Sequence, residues 1–417
     1  MTSGKPILVL GGGIAGMTAA IEAAEAGCEV VLVEKAPYLG GRVARTHLYF
    51  PKLCPPACGL EVNFRRNRNN PRIKVLTQAE LVELSGSAGD YAATVRIAPR
   101  YVTSACTMCG ACADACPAQR PDDFNYGLSK TKAAYLPYAM AFPDTYVIDR
   151  PSCKEACNAC ADACKYGAVD LGQPERRETF QVAAVVAATG WAPYDACRID
   201  GLGYGKFKNV ITNAIMERLA APNGPTGGKI VRPSDGKAPR TVVFVQCAGS
   251  RDENHLPYCS TVCCAASLKQ ATYVRSQLPD SKVAIFYIDV RTAGRLEDFY
   301  ASVAADTNIG LIKGKVAKVE EDPVTGDLAV HAEDVSRGKQ IALYADLVVL
   351  ATGIVPQTQG LPNGFTVDDY GFLGNGKPGL YPAGCARRPE EVSASVEDAT
   401  GAALKAFQCV VRSAHHG

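Results

Sequence analysis

The chain has 417 residues, 18 of them cysteine, and a formal net charge of +2. That length supports two or three domains with cores of their own, and the near-neutral, evenly spread charge argues against nucleic acid as the main partner, since a binding face needs a basic excess. Secreted cysteine scaffolds are small, Ile7–Leu10 is too short for a signal-peptide core, and no apolar run approaches the roughly 18 residues of a spanning helix. The composition therefore reads as a metal-cluster protein of a reducing cytoplasm, touching a membrane only through a partner.

In chain order, Pro6–Leu10 is predicted as a strand, and Gly11-Gly12-Gly13-Ile14-Ala15-Gly16 follows it directly. A helix over Met17–Ala26 comes next, then a strand over Cys28–Val33 closed by Glu34. This is G-x-G-x-x-G in the context its chemistry requires. Gly11 permits the tight turn, Gly13 lets the backbone approach a pyrophosphate, and Gly16 allows close packing of helix on strand. Glu34 lies about 20 residues on, where a carboxylate accepts from a ribose diol.

Glu34 to Arg42 reads E-K-x-x-x-x-G-G-R, which resembles the two-dinucleotide-binding-domain flavoproteins. The resemblance implies FAD, with Gly40, Gly41 and Arg42 near the pyrophosphate and flavin. Two later apolar runs, Ala183–Gly190 and Leu347–Gly353, each end in Ala-Thr-Gly, as at that superfamily's strand-to-loop junctions. They add Ala188, Thr189, Gly190, Thr352 and Gly353 to the expected FAD contacts. Gly379–Gly384 resembles the late FAD motif, with Cys385 where the family usually has Asp and a helix expected over Ser393–Phe407. Gly384 and Cys385 would contribute there through backbone N–H at the helix start. The basic run Arg65-Arg66-Asn67-Arg68 reads as a solvated turn before Pro71.

Between these segments, Cys106, Cys109, Cys112 and Cys116 form C-x2-C-x2-C-x3-C before Pro117, the bacterial ferredoxin run. Cys153, Cys157, Cys160 and Cys164 repeat it with one extra residue in the first gap and Lys165 in place of proline. In two-cluster ferredoxins the fourth cysteine of each run serves the other cluster. The expected sets are therefore crossed: Cys106, Cys109 and Cys112 with Cys164, and Cys153, Cys157 and Cys160 with Cys116. Zinc is the alternative, but zinc sites use paired CxxC with long gaps rather than triplets. The linker Ala118–Arg150, rich in Tyr, Phe and Pro, reads as a partner-facing loop.

Farther on, Thr241–Val245, a helix over Ala265–Gln277 and a strand over Lys282–Asp289 outline a β-α-β unit, which Leu311–Val319 continues as strand. A nucleotide-binding unit would place glycines in its first turn. This turn instead carries Cys247, Cys259, Cys263 and Cys264, spaced C-x11-C-x3-C-C. Four thiols where a phosphate would sit point to a metal cluster replacing a second dinucleotide. Elsewhere, Cys54 and Cys58 read as buried thiols, with lining the flavin or contacting a partner's cluster as the alternative, and Cys28 reads as core.

The motif QCAGSRDENHLPYCSTVCC, the ferredoxin insertion after the first FAD segment and Tyr146-Val147-Ile148-Asp149 before the second cysteine run resemble the A-type flavoprotein of heterodisulfide reductase. Because the sequence ends soon after the closing helix, it is most similar to the branch found in the quinone-interacting membrane-bound oxidoreductase complex of sulfate reducers.

The resemblance implies an α/β, thioredoxin-reductase-like flavoprotein of two dinucleotide-binding domains with an inserted ferredoxin-like two-cluster domain. FAD segments are expected at 1–98, 179–234 and 345–417, the insertion at 99–178, and a nicotinamide-domain-like module with the four-cysteine site at 235–344. The resemblance further implies FAD and three [4Fe-4S] clusters. It also implies a homologous flavoprotein subunit, a membrane haem and quinone subunit, and adenylylsulfate reductase as partners, at the inner face of the cytoplasmic membrane. A cytosolic heterodisulfide-reductase-like complex acting on thiol–disulfide or sulfur-carrier substrates shares every motif.

Overall fold

The computed structural model describes residues 4–415. They form two compact units: the chain up to Arg45, Ala57–Trp191 and everything from Pro356 make the first, and Thr46–Pro56 with Ala192–Val355 make the second.

In the first unit, five parallel strands lie in the order Leu380–Pro382, Ala184–Ala187, Ile7–Leu10, Val30–Glu34 and Ile73–Thr77. Ile7–Leu10 and Ala184–Ala187 are buried throughout, as central strands covered on both faces must be. Helix Ile14–Glu25 turns Met17, Ala20, Ile21 and Ala24 into a core shared with Ala399, Ala402, Ala403 and Ala406 of helix Val392–His415. Each fully buried Met or Ile contributes about 1.5–3 kcal/mol, and the alanines let the two helices approach one face of the sheet. An antiparallel sheet of Arg176–Val182, Asp90–Ile97 and Ala79–Ser87 completes this part, and the cysteine-rich insertion follows Ile97.

The second unit repeats the plan. Its parallel sheet runs Val210–Thr212, Leu347–Thr352, Thr241–Ala248, Lys282–Tyr287 and Ile309–Lys313, with an antiparallel sheet of Val316–Glu321, Leu328–Asp334 and Lys339–Ala345. Of the stretch 179–234 the first unit thus takes only the part up to Trp191, and its last stretch starts at Pro356. The cause is pairing: Val348 lies opposite both Val210 and Val243, which fixes Leu347–Thr352 inside the second sheet.

Thr46–Pro56, expected within the first FAD segment, is tied into the second unit. Glu217 accepts from the His47 backbone N–H at 2.9 Å, and Lys269 Nζ donates to the Leu48 carbonyl at 2.7 Å. The strand expected over Leu311–Val319 is two strands. They part at Gly314, where a Cβ would lie 1.9 Å from the Glu333 carbonyl oxygen. The run Arg65–Arg68 is helical, within Ala57–Asn69, with Arg66 bidentate on Glu25.

Candidate functional site

The glycine fingerprint builds a cradle. Gly11 has φ +100°, and a Cβ there would lie 2.2 Å from the Ala188 carbonyl oxygen. On Gly16 it would lie 1.7 Å from the oxygen of Gly11, closer than any side chain permits. Gly13 caps the helix without a side-chain bond, so the first-turn N–H groups around Ile14 and Ala15 are left for an anion. Gly41 closes the other side, a Cβ on it falling 2.9 Å from Gly13 Cα, with Gly40 beside it. Gly384 packs on the same helix start, 2.9 Å from the Ala15 methyl by the same construction.

Behind this wall, between Ala188 and Gly190, Thr189 Oγ1 is buried with no hydrogen-bond partner among the described residues. A dinucleotide with its own hydroxyls and phosphate oxygens would satisfy it.

Glu34 anchors the turn: Oε2 accepts from Gly12 N at 2.5 Å and Oε1 from Ala36 N at 2.6 Å. Burial lifts its carboxyl above the usual range, opposed by these backbone donors. Both oxygens retain lone pairs for a ribose.

The other residues expected at the cofactor are placed as follows. The Lys35 side chain is 85% exposed and pairs with Glu80 at 3.3 Å, because alternation at the strand end turns it outward. The Cys385 thiol is buried toward the Glu390 carbonyl at 3.4 Å, so only its backbone is available to a cofactor. Thr352 and Gly353 belong to the second unit. Arg42 is held by the Trp191 carbonyl at 3.0 Å and the Tyr126 hydroxyl at 3.1 Å, its guanidinium 5.4 Å from the Trp191 ring centre.

The aromatic linker, expected to face a partner, instead packs on the cradle. Leu39 N donates to the Phe142 carbonyl at 2.8 Å and the Tyr138 hydroxyl to the Leu39 carbonyl at 3.2 Å. Tyr38 meets Phe124 and Tyr138 edge-on, and its hydroxyl accepts from Arg45 at 2.8 Å. Arg100 joins this loop to the insertion, donating to the Pro37, Thr145 and Tyr146 carbonyls. Burial pulls its guanidinium down to about 10. Tyr38, Tyr126, Tyr138 and Arg100 were missed by motif reading. For Tyr126 and Tyr138 the unusual aromatic content of the linker was the only signal.

Within the insertion, two cavities are lined by sulfur. Cys106, Cys109, Cys112 and Cys164 surround about 310 Å³ of open space together with Tyr146 and Tyr166. Cys116, Cys153, Cys157 and Cys160 surround about 270 Å³. The two four-residue helices Ala111–Asp114 and Ala159–Asp162 share the sequence Ala-Cys-Ala-Asp and place Cys112 and Cys160 inward. Backbone N–H groups point at sulfur, Met108 to Cys106 at 3.5 Å and Ala168 to Cys164 at 3.3 Å. Burial pushes the Cys112 thiol up to about 11. At Cys164 desolvation is outweighed by the backbone donors of Ala168, Tyr166, Val169 and Gly167, which hold the thiol below its usual value. Four sulfurs around a cavity, with N–H donors behind them, suit an iron–sulfur cluster.

In the second unit, strand Thr241–Ala248 bulges between Val245 and Ala248, and Cys247 takes a left-handed φ of +56°. Such a bulge re-aims a side chain at the strand end. Helix Cys263–Gln277 begins on Cys263 and Cys264 with no side-chain cap, so its positive end faces their sulfurs. Thr261 N donates to Cys259 Sγ and Arg291 N to Cys264 Sγ, both at 3.4 Å. Burial, then the neighbouring thiols Cys247, Cys264 and Cys259, raise Cys263 well above the ordinary thiol range. Burial likewise lifts Cys247 to about 11, against the pull of Arg251. The four thiols thus lie near enough to influence one another, at the turn where a nucleotide-binding relative holds phosphate.

This architecture and these sites define a thioredoxin-reductase-like flavoprotein fold with a ferredoxin-type insertion. Thioredoxin reductases of T. acidophilum and Lactococcus lactis superpose over 98% of this chain and 99% of theirs, each with a TM-score of 0.55, at 15% and 13% identity. Family profiles described as FAD dependent oxidoreductase and 4Fe-4S binding domain match residues 6–54 and 99–119.

Over the region it shares with them, the chain is similar to A-type iron–sulfur components of heterodisulfide reductases, spanning less than two thirds of their length. It is 38% identical over 418 residues to the A-type iron–sulfur component of a CoB–CoM heterodisulfide reductase of Methanopyrus kandleri, and 37% over 420 residues to that of Methanocaldococcus jannaschii. Each alignment covers 96% of this chain and 63% of the relative. Among the described residues no helix is long and apolar enough to cross a membrane.

Proposed function

We propose that the chain is an FAD and iron–sulfur electron-transfer component of an oxidoreductase complex. Its FAD would lie in the cradle of Gly11, Gly13, Gly16, Gly41, Thr189 and Gly384. [4Fe-4S] clusters would be held by the two crossed sets of the insertion and by Cys247, Cys259, Cys263 and Cys264. The observation that carries this reading is the last set: four neighbouring thiols at a bulged strand end and a helix start, where a second dinucleotide would need glycines.

When bound, the flavin exchanges one or two electrons and each cluster one. The chain's own contribution is positional. Backbone N–H groups of Met108, Ala168, Thr261 and Arg291 donate to Sγ of Cys106, Cys164, Cys259 and Cys264, which would hold the clusters, Tyr146 and Ala168 would limit water there, and Arg100 ties the cradle loop to the first cavity. Stopped-flow mixing tests the reading. Reduction through a partner protein with little direct reduction of FAD by NADH or NADPH supports it, and catalytic reduction by either nucleotide overturns it.

The finer assignment follows the sequence resemblance. It places the chain in a quinone-linked complex of sulfate reduction, beside a second, homologous flavoprotein and a membrane haem protein, passing electrons to or from adenylylsulfate reductase. The competing assignment, a heterodisulfide-reductase-like complex acting on thiol–disulfide or sulfur-carrier substrates, rests on the same motifs and on the names of the relatives. Purification of the native complex separates them: a haem-bearing membrane component supports the first, its absence with disulfide reduction the second.

A further inference from the structure

Gln246 is the residue just before the bulged Cys247, and it is 6% exposed. Its Oε1 lies 3.2 Å from Cys264 Sγ, accepting the thiol proton, while its Nε2 is buried with no partner among the described residues. That arrangement suits a protonated thiol and no other state. A thiolate ligand to iron has no proton to give, so an amide oxygen facing it would be repelled. Rotation of the amide about its last torsion places Nε2 toward sulfur and relieves the unpaired donor. The oxygen then left without a partner is the better tolerated loss.

Cys264 is also the sulfur that accepts from Arg291 N at 3.4 Å. The Gln246 amide would therefore give it a second donor. From this we infer that Gln246 is a positioning residue for the second-unit cluster: its side-chain N–H donates to Cys264 sulfur and holds the cluster's reduction potential up. The inference rests on the cluster reading above. Its physical basis is that hydrogen bonds to cluster sulfurs favour the more negative, reduced state. At Cys106 and Cys164 of the ferredoxin runs the corresponding donors are the backbone N–H groups of Met108 and Ala168, which no substitution removes so cleanly.

The test is an anaerobic potentiometric titration, followed by EPR, of the full-length protein and two variants. Gln246→Met keeps the length and removes the donor. Gln246→Glu keeps the shape and substitutes an acceptor. The expected result is a full iron complement in Gln246→Met and a potential lowered for this cluster alone, with the reduced-to-oxidised ratio at fixed potential falling about tenfold, which is about 59 mV for a one-electron couple. Gln246→Glu should fall further. Iron retained with an unchanged potential overturns the role of Gln246 and leaves the cluster reading standing. A wild-type site without iron overturns the cluster reading itself.

A measurement that needs no variant runs alongside. Hyperfine spectroscopy of the reduced wild-type protein, labelled with heavy nitrogen in glutamine side chains, should show a weak amide coupling to this cluster. Its absence counts against the inference.

Discussion

A methyl group on Gly16 would sit 1.7 Å from the Gly11 carbonyl oxygen, inside the backbone turn that the cofactor must approach. Gly16→Ala is therefore expected to purify with its flavin content reduced roughly tenfold or more, an effect of at least about 1.4 kcal/mol in binding. Visible absorbance against protein concentration measures it, and full flavin content would contradict the cradle. A second residue-level prediction concerns the buried pair Lys269–Glu217 at 2.9 Å, whose side chains are 4% and 10% exposed. Glu217 also accepts from Gln270 at 2.6 Å, and Tyr273 closes the same node. Lys269→Met leaves Glu217 buried without its cation and should cost about 3–5 kcal/mol, read as a lowered urea midpoint. An unchanged midpoint would show the pair to be dispensable. Glycine roles were readable because spacing alone dictates which backbone atoms must touch. Lys35 and Cys385 were not, since the direction of a side chain depends on neighbours such as Glu80 and Glu390 that no local motif names.

Two copies of Ala-Cys-Ala-Asp, each one turn of helix, carry Cys112 and Cys160 and begin the segments that cross at Cys116 and Cys164. Because Cys164 lines the same cavity as Cys106, Cys109 and Cys112, Cys164→Ala should alter the EPR signal of the cluster bound by the first run and spare the other. Loss of the signal belonging to Cys153, Cys157 and Cys160 would mean that the sets are not crossed. The crossing is expected from the two-cluster ferredoxin precedent, in which the fourth cysteine of each run serves the other cluster. The linker between the runs was not readable in the same way. Its tyrosines and phenylalanines were as compatible with an external partner as with Leu39 and Tyr38, and only the fold brings that loop within reach. The break at Gly314 has a similar origin, since the apolar pattern continues across it while a carbonyl of Glu333 forbids a side chain there.

At the level of the molecule, the same plan of five parallel strands and a three-stranded antiparallel sheet occurs in both units, with different loading of the equivalent turns. In the first, glycines leave room for a pyrophosphate. In the second, a bulge and a helix start bring Cys247, Cys259, Cys263 and Cys264 together instead. The sequence announces the difference by residue type but not the means, because a left-handed Cys247 is invisible in a pattern of apolar residues. The sheet to which Leu347–Gly353 belongs was not legible for a related reason: its Ala-Thr-Gly ending is shared with Ala183–Gly190, and pairing with Val210 and Val243, not the motif, decides the sheet.

Counting iron, acid-labile sulfide and flavin in anaerobically purified wild-type protein and in Cys263→Ala tests that exchange most directly. Three cubane clusters require on the order of 12 iron atoms per chain, falling to about 8 in the variant with flavin unchanged. Equal iron in both proteins, or a wild-type count of about 8, would contradict it.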